Sequence, residues 1–352
     1  MFSNLKIIDV STVLAGPSVG TFFAELGASV LKIEHPLHSD VTRNWKLPSE
    51  PEKETVSAYF SSVNFRKEYL TLDLKNSTDH AQFIELVSTA DILLSNFKKG
   101  DDVKLNITDD QIRAKNPKLI HGKINGFGSE SDRVAYDLIL QAETGFMSMN
   151  GTPESGPIKM PVALIDVLAA HHLKEGLLIA LMERLTSKVG KTVSVSLYDA
   201  AVCSLANQAS NFLMEHHVAR RIGSMHPNIA PYGELFETND AELITFAIGS
   251  DAQFNKLCKF LSLASTANDK RFNDNPSRVK NRSALAAILQ EEIKKQSSDG
   301  ILSAMNEQFV PVGKIMAIDN VFEQEKAKKL IRRELILGKE TARVTSIGFK
   351  WE

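Results

Sequence analysis

Hydrophobic positions change period twice within the first forty residues. LKIIDV (5–10) is an apolar run of strand length, GPSVGTFFAELGA (16–28) sets Phe22, Phe23 and Leu26 at helical spacing with Gly27 where a helix would stop, and SVLKIEH (29–35) returns to strand. This is the pattern of a parallel β-α-β unit. It recurs as a strand over LTLDL (70–74), a helix over HAQFIELVSTA (80–90) and a strand over DILLSNF (91–97), with KLIHGKING (118–126) a further strand. Alternation of this kind predicts helices packed on a mostly parallel sheet.

A long amphipathic helix starts near Asp166, in PVALIDVLAAHHLKEGLL (161–178), with Leu173, Leu177, Leu178, Leu181, Met182 and Leu185 on one face before TSKVGK ends it. TVSVSL (192–197) alternates as a half-buried strand should, and YDAAVCSLANQASNFL (198–213) resumes helix. Beyond about residue 222 the character shifts. HPNIAPYGELFETND, AELITFAIGS, a helix over AQFNKLCKFLSL and the polar NDNPSRVKNR predict a smaller second module, and the C-terminal VTSIGFKWE reads as a last strand returning to a sheet.

Composition narrows the partners. The 352 residues, 43% hydrophobic and 24% charged, suffice for a large core and two domains. Forty-one basic against 43 acidic residues leave a net charge of -2, without the electropositive surface that nucleic acid demands. MFSNLKIIDVSTVLAG lacks the layout of a signal peptide and no run of about 18 uncharged apolar residues follows, so the expectation is a cytoplasmic protein with no membrane partner. Cys203 and Cys258 each lie in helix-like apolar patterns and read as core residues, not as a disulfide or zinc site.

Three chemistries fall away on motif grounds. The first turn reads AGPSVG in place of G-x-G-x-x-G, so the unit resembles a dinucleotide fold, with Glu34 ending its second strand, but lacks the glycines for NAD. The histidine pairs His171–His172 and His216–His217 point about 100° apart on a helix and not along one face, so no metal site is expected. No G-x-S-x-G elbow or P-loop occurs. Asp166 has two readings. Aspartate is a favoured helix N-cap. A carboxylate held at a helix start beside the small Ala169 and Ala170, which would leave room for a ligand, can also serve as a nucleophile towards an activated acyl group.

Taken in order, LKIIDVSTVLAGPSVGTFFAELGASVLKIEHP, LTLDLK, ADILLSNFKKG, NPKLIHGKINGFG, YDLILQAETGFMSMNG, the Asp166 joint and TVSVSLYDAAV resemble the class III CoA-transferases, the group that includes formyl-CoA transferase, carnitine CoA-transferases and α-methylacyl-CoA racemases. The resemblance implies an α/β fold: a Rossmann-like large domain at 1–200, completed by about 320–352, and a small α+β domain at 225–310, with linkers at 201–224 and 311–320. It also implies an interlocked homodimer. Acyl-CoA and a carboxylic acid would be the substrates, with no tightly bound cofactor and no metal.

Under this resemblance Asp166 attacks the acyl-CoA thioester to form a mixed anhydride and then an aspartyl-CoA thioester. CoA contacts are implied at Val13, Ala15 and Gly16 of the first turn, at His35 and Lys67, at Leu72, at Asn96 and Phe97, at Lys104, and at Asp137. Tyr136 stands where racemase members carry a histidine. Tyrosine, with an ordinary pKa of about 10, is a poor base near neutrality but can donate to an oxyanion, which favours transfer over racemisation. The sequence departs from the family at NFRKE, with Glu68 where a cation is usual, at KMPVALID before the aspartate, and in lacking a glycine-rich loop near IGSDAQF. A racemase and a CoA-binding protein without catalysis remain as alternatives.

Overall fold

A computed structural model describes residues 2–350 of the chain. Two compact units emerge, one from residues 1–149, 158–219 and 329–352, the other from 150–157 and 220–328. The short stretch 150–157 thus interrupts the run of 1–200 expected from the sequence and groups with the second unit.

The first unit is built on six parallel strands, β1 (Lys6–Asp9), β2 (Ser29–Glu34), β3 (Lys67–Thr71), β4 (Ile92–Ser95), β5 (Ile120–Asn125) and β6 (Thr192–Ser196), in the order β3-β2-β1-β4-β5-β6. Chain order reverses between β1 and β4, and ligands of open α/β sheets bind in the crevice beyond the carboxyl ends of strands at such a point. One face packs Ile92, Leu94 and Ile120 against helices Ala15–Glu25 and Leu164–Ser187; the other packs Leu93, Phe83, Val87 and Ile112. Burial on both faces explains the nearly unbroken apolar strands.

The Leu164–Ser187 helix follows the sequence in extent but not in facing. Ile165, Asp166, Ala169, Ala170, Leu173, Leu177 and Ala180 form the buried stripe, whereas Met182 and Leu185 are exposed. Asp166 therefore lies on the core-facing stripe itself, three and seven residues ahead of Ala169 and Leu173. Ala169 and Ala170 pack into the core and do not open a pocket. Lys188, left-handed at φ 60°, ends the helix, and Gly190 follows where an added Cβ would lie 1.9 Å from the Leu119 carbonyl oxygen.

Other departures are local. The strand expected at LTLDL begins three residues earlier, at Lys67. The helix expected over 198–213 breaks at Ala206 (φ 48°) into Leu197–Cys203 and Asn207–Glu215, leaving Cys203 exposed while Cys258 is buried. The C-terminal region forms a hairpin of β10 (Ile331–Ile336) and β11 (Lys339–Val344), and Thr345–Lys350 is not strand; Trp351 and Glu352 of VTSIGFKWE lie outside the described residues.

The second unit has an antiparallel sheet of β7 (Tyr232–Glu237), β8 (Leu243–Ala247) and β9 (Val312–Lys314), covered by helices that supply Phe254, Leu257, Leu289 and Met305 to its core. No helix among the described residues is long and apolar enough to cross a membrane.

Candidate active site

The turn after β1 stands at the switch point and is held at each residue. Asp9 accepts from the Ser11 amide (3.0 Å) and hydroxyl (2.5 Å), Lys32 donates to the Ser11 carbonyl (2.7 Å), and Thr12 exchanges two hydrogen bonds with the Asn96 amide group (3.1 and 2.9 Å). The Val13 amide donates to both oxygens of Asp40 (3.3 and 3.2 Å). Val13 adopts φ 73°, a region costly for a β-branched residue, so this fixed conformation is imposed by its partners. Gly16 is required just beyond, because an added Cβ would lie 2.3 Å from the Ser11 hydroxyl oxygen.

Beneath the turn lies a buried ionic network. Lys32 pairs with Asp40 (3.1 Å), Lys67 with Asp9 (2.8 Å), and Arg43 with Glu34 (2.6 Å). Burial opposes the charge on Asp9, but the Lys67 and Lys32 ammoniums outweigh it and keep its carboxyl below the usual range. Lys67 is pushed down to about 8 by burial, against the pull of Asp9, so both ions persist near neutrality.

A cavity of about 110 Å³ opens beside this turn, lined by Thr12, Val13, Ala15, Asn96, Tyr136 and Asp166, with Gly126 and Ala135 among its other walls. Asp166 occupies the first turn of its helix but does not cap it. The N-cap is Ala163, and Asp137 reaches across from the start of helix Asp137–Glu143 to accept the Ile165 amide at 2.7 Å. Gln141 donates to the other Asp137 oxygen (2.6 Å) and accepts from the Met160 amide (2.7 Å), fixing the approach to the helix.

Asp166 itself is 9% exposed, and no hydrogen bond or ion pair among the described residues engages its carboxylate. Burial first, and the charge of Asp137 second, raise it to about 7. Tyr136, 52% exposed, stands at the mouth as the residue before helix Asp137–Glu143. Such a carboxylate, unpaired and facing a cavity, is suited to covalent attack on an electrophilic carbonyl.

A second cavity of about 270 Å³ shares Thr12 with the first and is walled by Ile33, His35, Leu72 and Phe97. Apolar walls beside the polar turn suit a flat heteroaromatic group.

Comparison with known proteins decides the family. The sequence model of CoA-transferase family III matches residues 2–349. The chain belongs to that family. It is 35% identical to the succinate–glutarate CoA-transferase of Agrobacterium fabrum over 91% of this chain and 81% of that protein. It is 33% identical to the acetyl-CoA:oxalate CoA-transferase of Acetobacter aceti over 90% of this chain and 81% of that one. Among solved structures, a CAIB/BAIF family protein from Brucella suis superposes with a TM-score of 0.89 at 33% identity, over 99% of this chain and 92% of that one. The chain is thus a class III CoA-transferase, an enzyme whose substrates are CoA thioesters.

Within this family frame the expected residues separate into four groups. Val13, Ala15, Asn96, Tyr136 and Asp166 converge on the smaller cavity, and His35, Leu72 and Phe97 on the larger one. Gly16 and Asp137 stand behind the first group, where Gly16 allows the close turn and Asp137 anchors the helix that carries Asp166, its two oxygens engaged by protein donors. Lys67 and Lys104 lie elsewhere. Lys67 spends its three donors on Asp9, the Pro17 carbonyl (2.9 Å) and Asn64 (3.0 Å), leaving none for CoA, so it is a structural cation. Lys104 is exposed, pairs with Asp101 at 3.0 Å and lines neither cavity.

Glu34, which imitated the ribose-binding acid of a dinucleotide fold, is occupied by Arg43 and the Asp40 amide. Tyr59 was not singled out in the sequence. Burial, then the charges of Asp166, Asp137 and Asp40, raise it to about 12, which places its phenol within the field of the site, with Trp45 edge-on at 5.1 Å. Its signal in the sequence was faint: a tyrosine beside the core residue Phe60 in a five-residue helix.

Proposed function

We infer that the enzyme moves CoA from an acyl-CoA to a carboxylic acid through covalent intermediates on Asp166. The observation that carries this reading is the unpartnered, buried Asp166 carboxylate facing the cavity between the Val13 turn and Tyr136. An Asp166 oxygen attacks the thioester carbonyl, the C–S bond breaks, and a mixed anhydride and CoA thiolate result. The thiolate attacks the aspartyl carbonyl and expels the donor carboxylate, leaving aspartyl-CoA. The acceptor carboxylate attacks that thioester in turn, and the returning thiolate takes the acyl group and regenerates Asp166. The steps draw on the CoA ester, the acceptor and Asp166 alone.

The site supplies what these steps require. The amino end of helix Leu164–Ser187 favours the attacking anion. Tyr136, at the rim of the same cavity, can donate to the tetrahedral oxyanion. The shared Thr12 wall lets one ligand run from the larger cavity, with the nucleotide between Leu72 and Phe97, to a thioester beside Asp166.

Relatives at 25–35% identity are named succinate–glutarate, acetyl-CoA:oxalate, succinyl-CoA:mesaconate and succinyl-CoA–D-citramalate CoA-transferases. That range supports a short dicarboxylate as the acceptor here. Exposed apolar side chains on helix Asn207–Glu215, where Phe212, Leu213 and Met214 face outward, support a homodimer. Light scattering checks the dimer. The transfer reading is tested with succinyl-CoA and a panel of dicarboxylates, where Asp166→Asn is expected to abolish exchange; full exchange by that variant would overturn it.

A further inference from the structure

On the opposite face of the sheet from the Asp166 helix, three side chains that the transfer reaction does not use form a hydrogen-bonded relay. Ser95, the last residue of β4, lies 2.8 Å from His121 Nε2 through its Oγ, and His121 Nδ1 lies 2.6 Å from Asp109 Oδ1 at the start of helix Asp109–Lys115. Ser95 and His121 are 3% and 2% exposed, yet both line a cavity of about 190 Å³ whose walls also carry Lys98, Lys99, Lys123 and Gly128.

The charge states fix the direction of the relay. Burial raises the Asp109 carboxyl, but hydrogen bonds from His121 and Lys123 outweigh it and keep Asp109 ionised, so it can only accept. Burial lowers the His121 imidazole, which is therefore neutral near pH 7. A neutral ring that donates from Nδ1 to Asp109 presents a lone pair at Nε2, and the Ser95 hydroxyl must donate to it. The Asp109 carboxylate is further fixed by Lys123 (3.0 Å) and Thr192 (3.0 Å), so the imidazole has one orientation.

We propose that Ser95, His121 and Asp109 form a second nucleophilic centre, independent of Asp166, that accepts acyl groups from small esters or thioesters and releases them to water. Ser95 Oγ attacks the carbonyl, its proton passes to His121 Nε2, and the collapsing tetrahedral adduct expels the alcohol or thiol, which takes that proton. Water, deprotonated by His121, then attacks the acyl-serine and frees the acid. Asp109 stabilises the imidazolium in both halves. The serine sits on a strand end without a nucleophile-elbow motif, so only the folded geometry exposes the relay.

Two measurements on the whole chain test this. Dimethyl fluorophosphate is small enough for the cavity and modifies activated serines; after exposure of the folded wild-type protein, peptide mapping is expected to find the phosphoryl adduct on Ser95. Absence of that adduct after saturating exposure overturns the proposal. The adduct is expected to form roughly 100-fold more slowly in His121→Gln, and an undiminished rate in a His121→Gln protein that melts cooperatively also overturns it. In the second measurement, Asp166→Asn protein is expected to hydrolyse p-nitrophenyl acetate and Asp166→Asn with Ser95→Ala is not. This separates failure of the serine centre from failure of the Asp166 reading, since CoA exchange is followed in neither arm.

Discussion

Asp137 accepts the Ile165 amide at 2.7 Å, one residue ahead of Asp166. A carboxylate from a separate helix thus performs the capping that Asp166 could have performed for itself, and leaves Asp166 without a partner. The same arrangement sets the Asp137 charge near Asp166, and with burial this raises Asp166 to about 7. One residue thus anchors the helix and raises the carboxyl beside it.

Acylation of Asp166 requires its anion, so the rate of adduct formation from acyl-CoA should rise with pH and level off above about 7. Single-turnover kinetics between pH 5 and 9 measure this. A profile already flat at pH 5 would mean that the carboxyl is not raised.

Removing the Asp137 charge while keeping an acceptor for Ile165 should move that profile to lower pH. Asp137→Asn is the variant, with an expected stability loss on the order of 1 kcal/mol from the altered hydrogen bonds. The shift should be partial, because burial, the larger cause, remains. An unchanged midpoint would show that Asp137 acts on Asp166 through position alone.

A raised acid is destabilising once ionised. The folded state holds the Asp166 proton up to about 7 and the unfolded chain only to about 3.9, so stability falls as pH climbs through that window and is level above it. Asp166→Asn should therefore gain on the order of 2 kcal/mol over wild type at pH 8 and little at pH 4, by denaturant titration. An equal effect at both pH values would contradict the assignment.

The Val13 turn depends on Asp40, which also neutralises buried Lys32. Asp40→Ala should cost about 3–5 kcal/mol, the usual result of leaving one buried charge unpaired, and the surviving folded protein should show a raised KM for acyl-CoA. By contrast Lys67→Met, which removes a structural cation, should lower Tm with KM for acyl-CoA unchanged.

Much of the first unit was legible in the sequence. Apolar runs of strand length, the helix between β1 and β2, and Gly27 at its end need only local periodicity. The long helix that begins near Asp166 was legible too, though not that Asp166 lies on its buried stripe and leaves the capping to other residues. What was not legible depended on contacts between distant segments. The burial of Lys67 requires Asp9 and Pro17 around it, 58 and 50 residues away. Asp137 became the cap of the helix through a bond spanning 28 residues. Met182 and Leu185 keep the helical spacing of a core stripe yet lie outside it, because side-chain periodicity sets the width of an apolar face and not which part of it meets the sheet.

The most direct test of the central claim is trapping on the enzyme itself. Protein mixed with succinyl-CoA is quenched, treated with hydroxylamine or borohydride, and mapped by peptide mass spectrometry. Modification confined to the carboxylate of Asp166, and absent from Asp166→Asn, is the predicted result. Transfer activity with no modification at Asp166, or with modification at another carboxylate, would contradict it.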